Sequence, residues 1–183
     1  MSKQILAPVL VLVLLLALVT VGCGKQPNAP VDPEGPTLKR GVTLSQLVDQ
    51  VTAQYPVPMS IPLDDRLLTQ LLGLAPEDVR EYAGVMSMEM ISADHFFVLH
   101  AAPGKVQTVQ AALEARLEEV RSAFEEYLPL PRAKAKAGKV LVLGDYAFLI
   151  ILGAQEVEQI ETYDFAGEAA AAEALIRSFF DEM

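Results

Sequence analysis

Apolar and polar residues follow one another in patterns that predict several short helices before any strand. Residues 43–46, Thr-Leu-Ser-Gln, have the form of a capping box, in which the Thr and Gln side chains each bond a backbone amide at the start of a helix. Asp64 is predicted to cap a second helix that ends at Gly73. Pro76 suits the first turn of a third helix over residues 77–82.

The pattern then changes to alternation with a period of two, which predicts strands. Residues 84–92 place three methionines on one side, and residues 95–101 alternate two sets of apolar side chains in the same way. Residues 105–127 carry apolar side chains three and four positions apart, with acidic residues mostly on the other side. We therefore expect a pair of strands followed by the longest helix of the chain.

The C-terminal part repeats this order. Residues 139–143 and 146–152 flank Gly144-Asp145, a turn sequence typical of a hairpin, and residues 164–180 form an Ala-rich amphipathic pattern. The order ββαββα, preceded by short N-terminal helices, predicts a single α+β domain over residues 43–183. We expect a two-layer sandwich with a mainly antiparallel four-stranded sheet and amphipathic helices packed on it.

The N-terminus has the features of a lipoprotein signal peptide, which we assign to residues 1–22. One lysine precedes an apolar run over residues 5–21, and Gly22 then places a small residue directly before Cys23. Cys23 is the single cysteine of the chain, so its thiol is the predicted site of lipidation and no intramolecular disulfide can form. The alternative is an uncleaved membrane anchor, although the run is short for a span of about 20 apolar residues. Either interpretation predicts a domain on the extracytoplasmic face of the cell membrane.

Residues 23–42 form a proline-rich segment between the lipid and the domain. Its prolines fall at positions 27, 30, 33 and 36, and it has no apolar periodicity. Such chain is extended and semi-rigid, so it can act as a tether. A disordered leader without a spacing role is the alternative.

Charge narrows the possible partners. The chain has 14 basic and 24 acidic residues, and removal of Lys3 with the signal leaves a net charge of -11. Phosphate groups repel an acidic domain, so we expect no nucleic-acid binding. Anionic lipid headgroups repel it too, so attachment to the membrane is assigned to the lipid on Cys23.

A group of residues spread around the first predicted strand resembles the core of the DUF4358 family. These residues fit its Tyr-x-Gly-x-Met-x-Met and Ser-Ala-Asp pattern: Tyr82, Gly84, Met86, Met88, Ser92, Ala93 and Asp94. The resemblance spans roughly residues 43–152, with departures at Ser87, where the pattern has Pro, and at His95, where Glu is common. It implies a small lipoprotein of Firmicutes-type bacteria with no assigned function. It also implies an envelope setting near the machinery that acylates surface polysaccharides.

Few side chains suggest chemistry. His95 and His100 lie five apart on one strand and therefore point to opposite faces, so they cannot jointly bind a metal. We expect His95 to be a turn or edge residue and His100 to be partly buried. Asp94 and His95 could be half of a catalytic triad, but no serine partner is identifiable.

Two further clusters allow two interpretations each. Met86, Met88 and Met90 could bind copper(I) through their thioethers, or could fill an irregular core, which we favour. The basic run over residues 132–139 could meet phosphate groups of the cell wall, or could be a solvated loop, which we favour again.

The sequence as a whole predicts a non-enzymatic cell-surface lipoprotein that binds or supports an envelope component or complex. The candidate surface is the family motif, with Tyr82, Gly84, Met86, Asp94 and His95. No cofactor, metal or catalytic residue is assigned. The alternative function is an enzyme that acts on cell-wall glycan or its acyl groups, for which a cleft gathering Tyr82, Asp94 and His95 would be required.

Overall fold

Five helices and five strands lie along residues 35–181, the part of the chain that this computed structural model describes. In chain order the elements are α1 (Leu44–Gln54), β1 (Ser60–Pro62), α2 (Asp65–Gln70), β2 (Val79–Ser87), β3 (His95–Ala101), α3 (Val106–Phe124), α4 (Pro129–Ala137), β4 (Lys139–Leu143), β5 (Tyr146–Ile151) and α5 (Phe165–Arg177). Single turns of 3-10 helix precede β2, at Pro76–Asp78, and α5, at Ile160–Thr162.

The strands form one open sheet in the order β1-β2-β3-β5-β4, and every neighbouring pair is antiparallel. The predicted α+β class and the antiparallel sheet are confirmed, with five strands instead of four. The additional strand is β1, a short stretch of extended chain ending at Pro62 that pairs with the end of β2. Proline is tolerated there because β1 lies at the edge of the sheet.

Amphipathic helices pack on the sheet, as predicted, and they are divided between its two faces. Phe96 and Val98 of β3 lie in one apolar cluster together with α1 and α5. Phe97 and Leu99 lie in a second cluster together with α2 and α3. The alternation predicted for residues 95–101 is therefore confirmed, and β3 is buried on both sides.

The local signals for helix starts and for the hairpin are also confirmed. The Thr43 hydroxyl accepts the amide N–H of Gln46, and the Gln46 side chain accepts that of Thr43. The Asp64 carboxylate accepts the amide N–H of Leu67 at the start of α2. Gly144 has a positive φ of 55° in the two-residue turn between β4 and β5, a conformation that glycine adopts without strain.

Two predictions around β2 are wrong. Residues 77–82 are not a helix, because only the Pro76 turn forms and Val79 then starts the strand that pairs along β3. The strand predicted over residues 84–92 ends at Ser87. There the Ser87 hydroxyl donates to the Pro58 carbonyl and accepts the amide N–H of Glu89, which turns the chain away from the sheet.

The basic run also differs from its prediction as a solvated loop. It lies mostly within α4, which begins at Pro129, a favourable residue for the first helical position. Arg132 and Lys136 face the solvent, whereas Lys134 lies on the inner side of the helix and is buried.

The two ends of the described chain are paired with each other. Lys39 N–H donates to the Phe179 carbonyl, and Asp181 N–H donates to the Thr37 carbonyl, both at 2.9 Å. Residues 37–42 of the predicted tether therefore belong to the folded unit. Among residues 35–181, no helix is long and apolar enough to cross a membrane. The predicted signal peptide, Cys23 and most of the tether lie outside the described residues.

Candidate functional site

A buried ion pair joins the loop before β3 to α4. The Lys134 ammonium lies 2.9 and 3.0 Å from the two carboxylate oxygens of Asp94. Asp94 is 0% and Lys134 2% exposed, so both charges are removed from water and depend on each other. The Ser92 hydroxyl donates to the Asp94 carboxylate at 2.6 Å and accepts the Asp94 amide N–H at 3.2 Å. The pair therefore fixes the position of the loop on the folded core.

A small pocket of about 90 Å³ opens above this pair. Its lining combines Asp94 and Lys134 with polar groups of Glu89, Ser92 and Gln155. The apolar residues Ile91 and Leu130 also line it. Because the Asp94 carboxylate is already bonded to Lys134 and Ser92, the pocket has a charge-neutral, fully paired floor. Such an arrangement suits positioning of a surface loop more than proton transfer.

The loop that carries this pocket presents an exposed apolar surface. Met88 is 58% exposed, Met90 86% and Ile91 57%. Met59, 70% exposed, lies beside them, since its carbonyl accepts the amide N–H of Met88 at 3.2 Å. We call Met59, Met88, Met90 and Ile91 the methionine patch. It was missed because the alternation of the methionines imitates a strand, whereas the hydrogen bonds of Ser87 end the strand.

The prediction that the three methionines fill the core holds only for Met86. Met86 is partly buried and packs in the cluster beneath α3, while Met88 and Met90 are exposed. The three thioethers therefore do not share one face. Within residues 35–181, no group of three or more His, Cys, Asp or Glu side chains is arranged to hold a metal ion.

His95 is buried at the start of β3, and the prediction of a turn or edge residue is wrong. Its Nε2 lies 3.0 Å from the Arg116 guanidinium, which can only donate, so Nε2 accepts and Nδ1 donates to the Ala93 carbonyl at 2.9 Å. Burial, with a smaller contribution from the positive charge of Arg116, lowers the pKa of His95 to about 4. His95 is therefore a neutral core residue at neutral pH. His100 is partly buried, as predicted, and stacks on Tyr146.

Three motif residues lie in register on one side of β2. Tyr82, Gly84 and Met86 are opposite Leu99, Phe97 and His95 of β3. A Cβ at Gly84 would lie 2.4 Å from the Phe96 carbonyl oxygen and 2.8 Å from the Phe97 ring, and the φ of Gly84 is 154°. Glycine is therefore required where these two strands approach each other.

The Tyr82 hydroxyl donates to the Asp65 carboxylate at the start of α2. This hydrogen bond, together with burial, raises the pKa of Tyr82 to about 12. Tyr82, Asp94 and His95 thus bond three different partners and are not gathered in one cleft. The candidate motif surface is also reduced, because Asp94 and His95 are interior side chains.

Sequence reasoning missed the partners of both buried motif residues. Lys134 was placed in a solvated loop, and Arg116 lies on the predicted long helix without any feature to distinguish it. One feature of the sequence does indicate that Lys134 is buried. In a helix that begins at Pro129, Lys134 lies on the same side as the buried residues Pro131 and Ala135.

Comparison with known proteins identifies one relationship. The profile of a protein family described as a domain of unknown function, DUF4358, matches residues 54–152. This match covers β1 to β5, and it includes the buried ion pair and all four residues of the methionine patch. No curated protein and no solved structure matches the chain.

Proposed function

The chain belongs to the DUF4358 family, and from that premise we propose that it is a non-enzymatic binding module of the cell envelope. It is held at the extracytoplasmic face of the membrane by a lipid on Cys23 and engages an envelope protein through the methionine patch. The observation that carries this proposal is the exposure of Met88, Met90 and Ile91 on one loop, beside Met59.

Exposed apolar side chains in a cluster favour a protein partner. Isolated apolar residues are common on protein surfaces, but contiguous ones mark interaction sites. Methionine is suited to such a site because its unbranched side chain adapts to the shape of the surface it meets. The four side chains of the patch are uncharged in a chain whose net charge is -10, and Glu89, between Met88 and Met90, is the one carboxylate within residues 88–91.

The support beneath the patch is rigid. Ser87 fixes the start of the loop, and the bonds among Ser92, Asp94 and Lys134 fix its end. A loop held at both ends loses less conformational entropy on binding than a free loop, so more of the contact energy appears as affinity. We assign the buried ion pair this positioning role.

The membrane attachment is supported by the sequence alone. An apolar run, a small residue at position 22 and the single cysteine at position 23 occur together at the N-terminus. Cys23→Ser is expected to give an unlipidated, unprocessed precursor, which intact-mass measurement after membrane extraction would reveal. A mature protein that begins at another residue, or that lacks the mass of the lipid, would refute the anchor.

The binding role is tested by photo-crosslinking in intact cells. A photoreactive amino acid at position 90 is expected to give a discrete adduct with an envelope protein. The matched control is position 107, where Gln107 is exposed at the start of α3, beyond the opposite end of β3 from the patch.

Met88→Ser, at a second patch position, should reduce the adduct from position 90 while the circular-dichroism melt stays unchanged. Equal labelling from positions 90 and 107, or no adduct from position 90, would contradict the proposed surface.

A further inference from the structure

The two edges of the sheet are protected to different degrees. β1 is three residues long and ends at Pro62, which are features that prevent another strand from pairing with it. β4, at the opposite edge, has the sequence Lys-Val-Leu-Val-Leu, with no proline, glycine or bulge. An apolar edge strand of this kind is a template for pairing with another chain, unless something covers it.

The alternation of hydrogen bonds shows which groups of β4 face outward. In a two-residue hairpin the residues flanking the turn, here Leu143 and Tyr146, form a hydrogen-bonded pair. Leu143, Leu141 and Lys139 therefore bond β5, and the N–H and C=O groups of Val140 and Val142 point away from the sheet. Among the described residues, none bonds these outward groups.

Grooves lie on both sides of this edge. One, of about 450 Å³, lies between Val140 and the α3 residues Leu117 and Arg121. The other, of about 490 Å³, lies between Leu143 and the α5 residues Ala174 and Arg177, and Pro36 also lines it. A strand that pairs with an edge sends its side chains alternately to the two faces of the sheet, so it needs room on both.

We propose that β4 pairs antiparallel with β4 of a second copy of this chain, joining the two five-stranded sheets into one. A two-fold axis at Leu141 places Val140 opposite the second copy's Val142, and each such pair exchanges two backbone hydrogen bonds. This register uses every outward N–H and C=O group of Val140 and Val142. The interface is separate from the methionine patch, which lies beside β1 at the other edge.

Charge along α5 fits the same two-fold axis. The Lys139 ammonium pairs with the Glu173 carboxylate, which places Glu173 beside the start of β4. Arg177 lines the groove at the end of β4, near Leu143, and pairs with Glu173 of its own helix at 2.7 Å. Reversal of direction across the axis brings Glu173 toward the second copy's Arg177 and Arg177 toward its Glu173. Antiparallel pairing of two copies thus sets opposite charges, and not like charges, across the axis on this face, in addition to the ion pairs within each copy.

The proline-rich tether is a poorer occupant of the edge. Pro27, Pro30 and Pro33 are three positions apart, so consecutive prolines fall on opposite sides of an extended strand. Even the register that sets Ala29 and Val31 against Val142 and Val140 leaves Pro27 and Pro33 facing the same edge on either side, where they have no N–H to donate and prevent the pairing from extending. A second copy has no such defect.

The test is the mass of the full chain in detergent, measured by light scattering with the detergent contribution subtracted. Wild type is expected to be a dimer. Val142→Pro removes an outward N–H that makes no bond within its own sheet, so it should leave the fold intact and give a monomer. Val142→Ala is the matched control, because it removes most of the side chain but keeps the N–H, and it should remain a dimer.

A second variant covers the case in which Val142→Pro does not fold. Val142→Lys keeps the N–H but places a charge beside the second copy's edge, and it should also give a monomer. A monomeric wild type would overturn the proposal, as would a folded Val142→Pro protein that is still a dimer. A monomeric wild type is also the result expected if the tether or a strand of another protein occupies the edge.

Discussion

Burial of neutral His95 makes the stability of the fold depend on pH. The pKa of His95 is about 4 in the folded protein, compared with 6.5 for a free side chain. Between these values the unfolded chain binds a proton that the folded protein does not, so acid favours unfolding. The contribution of neutral His95 is fully present above the higher value and is lost as the pH falls toward the lower one.

The size of the effect follows from the two pKa values. At about pH 5, protonation of the unfolded chain lowers the free energy of unfolding by about 2 kcal/mol relative to about pH 7. The interval from about pH 5 to about pH 7 also separates the effect of His95 from that of the carboxylates, whose protonation occurs at lower pH. The pKa values of Asp78 and Glu173 are lowered, chiefly by hydrogen bonds from Lys105 and Lys139. Their contribution is present above their ordinary values of 3.8 and 4.5, so it is lost mainly at lower pH.

The assay is urea unfolding followed by circular dichroism at several pH values between about 5 and 7. His95→Gln keeps a carbonyl to accept from Arg116 and an amide to donate, but it does not titrate. The variant should therefore be less stable at neutral pH and should lose most of the pH dependence in this interval. His100→Gln is the control: burial lowers the pKa of His100 too, but that side chain is only partly buried, so most of the slope should remain.

Two results would refute the reasoning. One is a wild-type free energy of unfolding that does not change across the interval. The other is a slope that survives undiminished in His95→Gln, because the proton would then bind elsewhere.

Three further substitutions probe the packing around the site by the same urea unfolding. Asp94→Ala leaves the Lys134 ammonium buried without a partner and should cost about 3–5 kcal/mol, and a loss under about 1 kcal/mol would mean that Lys134 reaches solvent. Leu117→Ala creates a cavity beneath α3, where Leu117 is 5% exposed, and should cost about 2–5 kcal/mol, so an unchanged midpoint would contradict the assigned core. Gly84→Ala forces a Cβ against β3 and should cost at least about 1–3 kcal/mol, whereas Gly73→Ala, also at a positive φ but with open space around it, should cost less.

Sequence patterns predicted those elements whose stabilising contacts are local. The capping box at Thr43 and Gln46 and the turn at Gly144 depend on neighbours within a few residues, so they can be identified from composition and spacing. The faces of β3 were also predictable, because alternate burial follows directly from strand geometry.

The candidate site depends on contacts that are distant in the chain. Asp94 and Lys134 are 40 positions apart, and their pairing requires α4 to pack against the loop before β3. A run of lysines and alanines is typical of a solvated segment, and only the packed structure reveals that one lysine of the run is buried. The strand predicted over the methionines was wrong for the opposite reason. Their local alternation was clear, but the hydrogen bonds of the Ser87 hydroxyl end the strand before Met88.

The pairing of the chain ends has a mechanical consequence. Any tension that reaches the domain through the residues before position 35 passes first into the segment that contains Thr37 and Lys39. Two backbone hydrogen bonds, to Asp181 and Phe179, and one from the Lys39 ammonium to the Ser178 carbonyl hold this segment, together with the packing of Leu38 against the core. Because so few bonds share the load, this pairing should separate before α1 or the sheet is disturbed. Loss of the last residues of the chain would remove that protection, and a pull on the N-terminal segment would then act directly on α1.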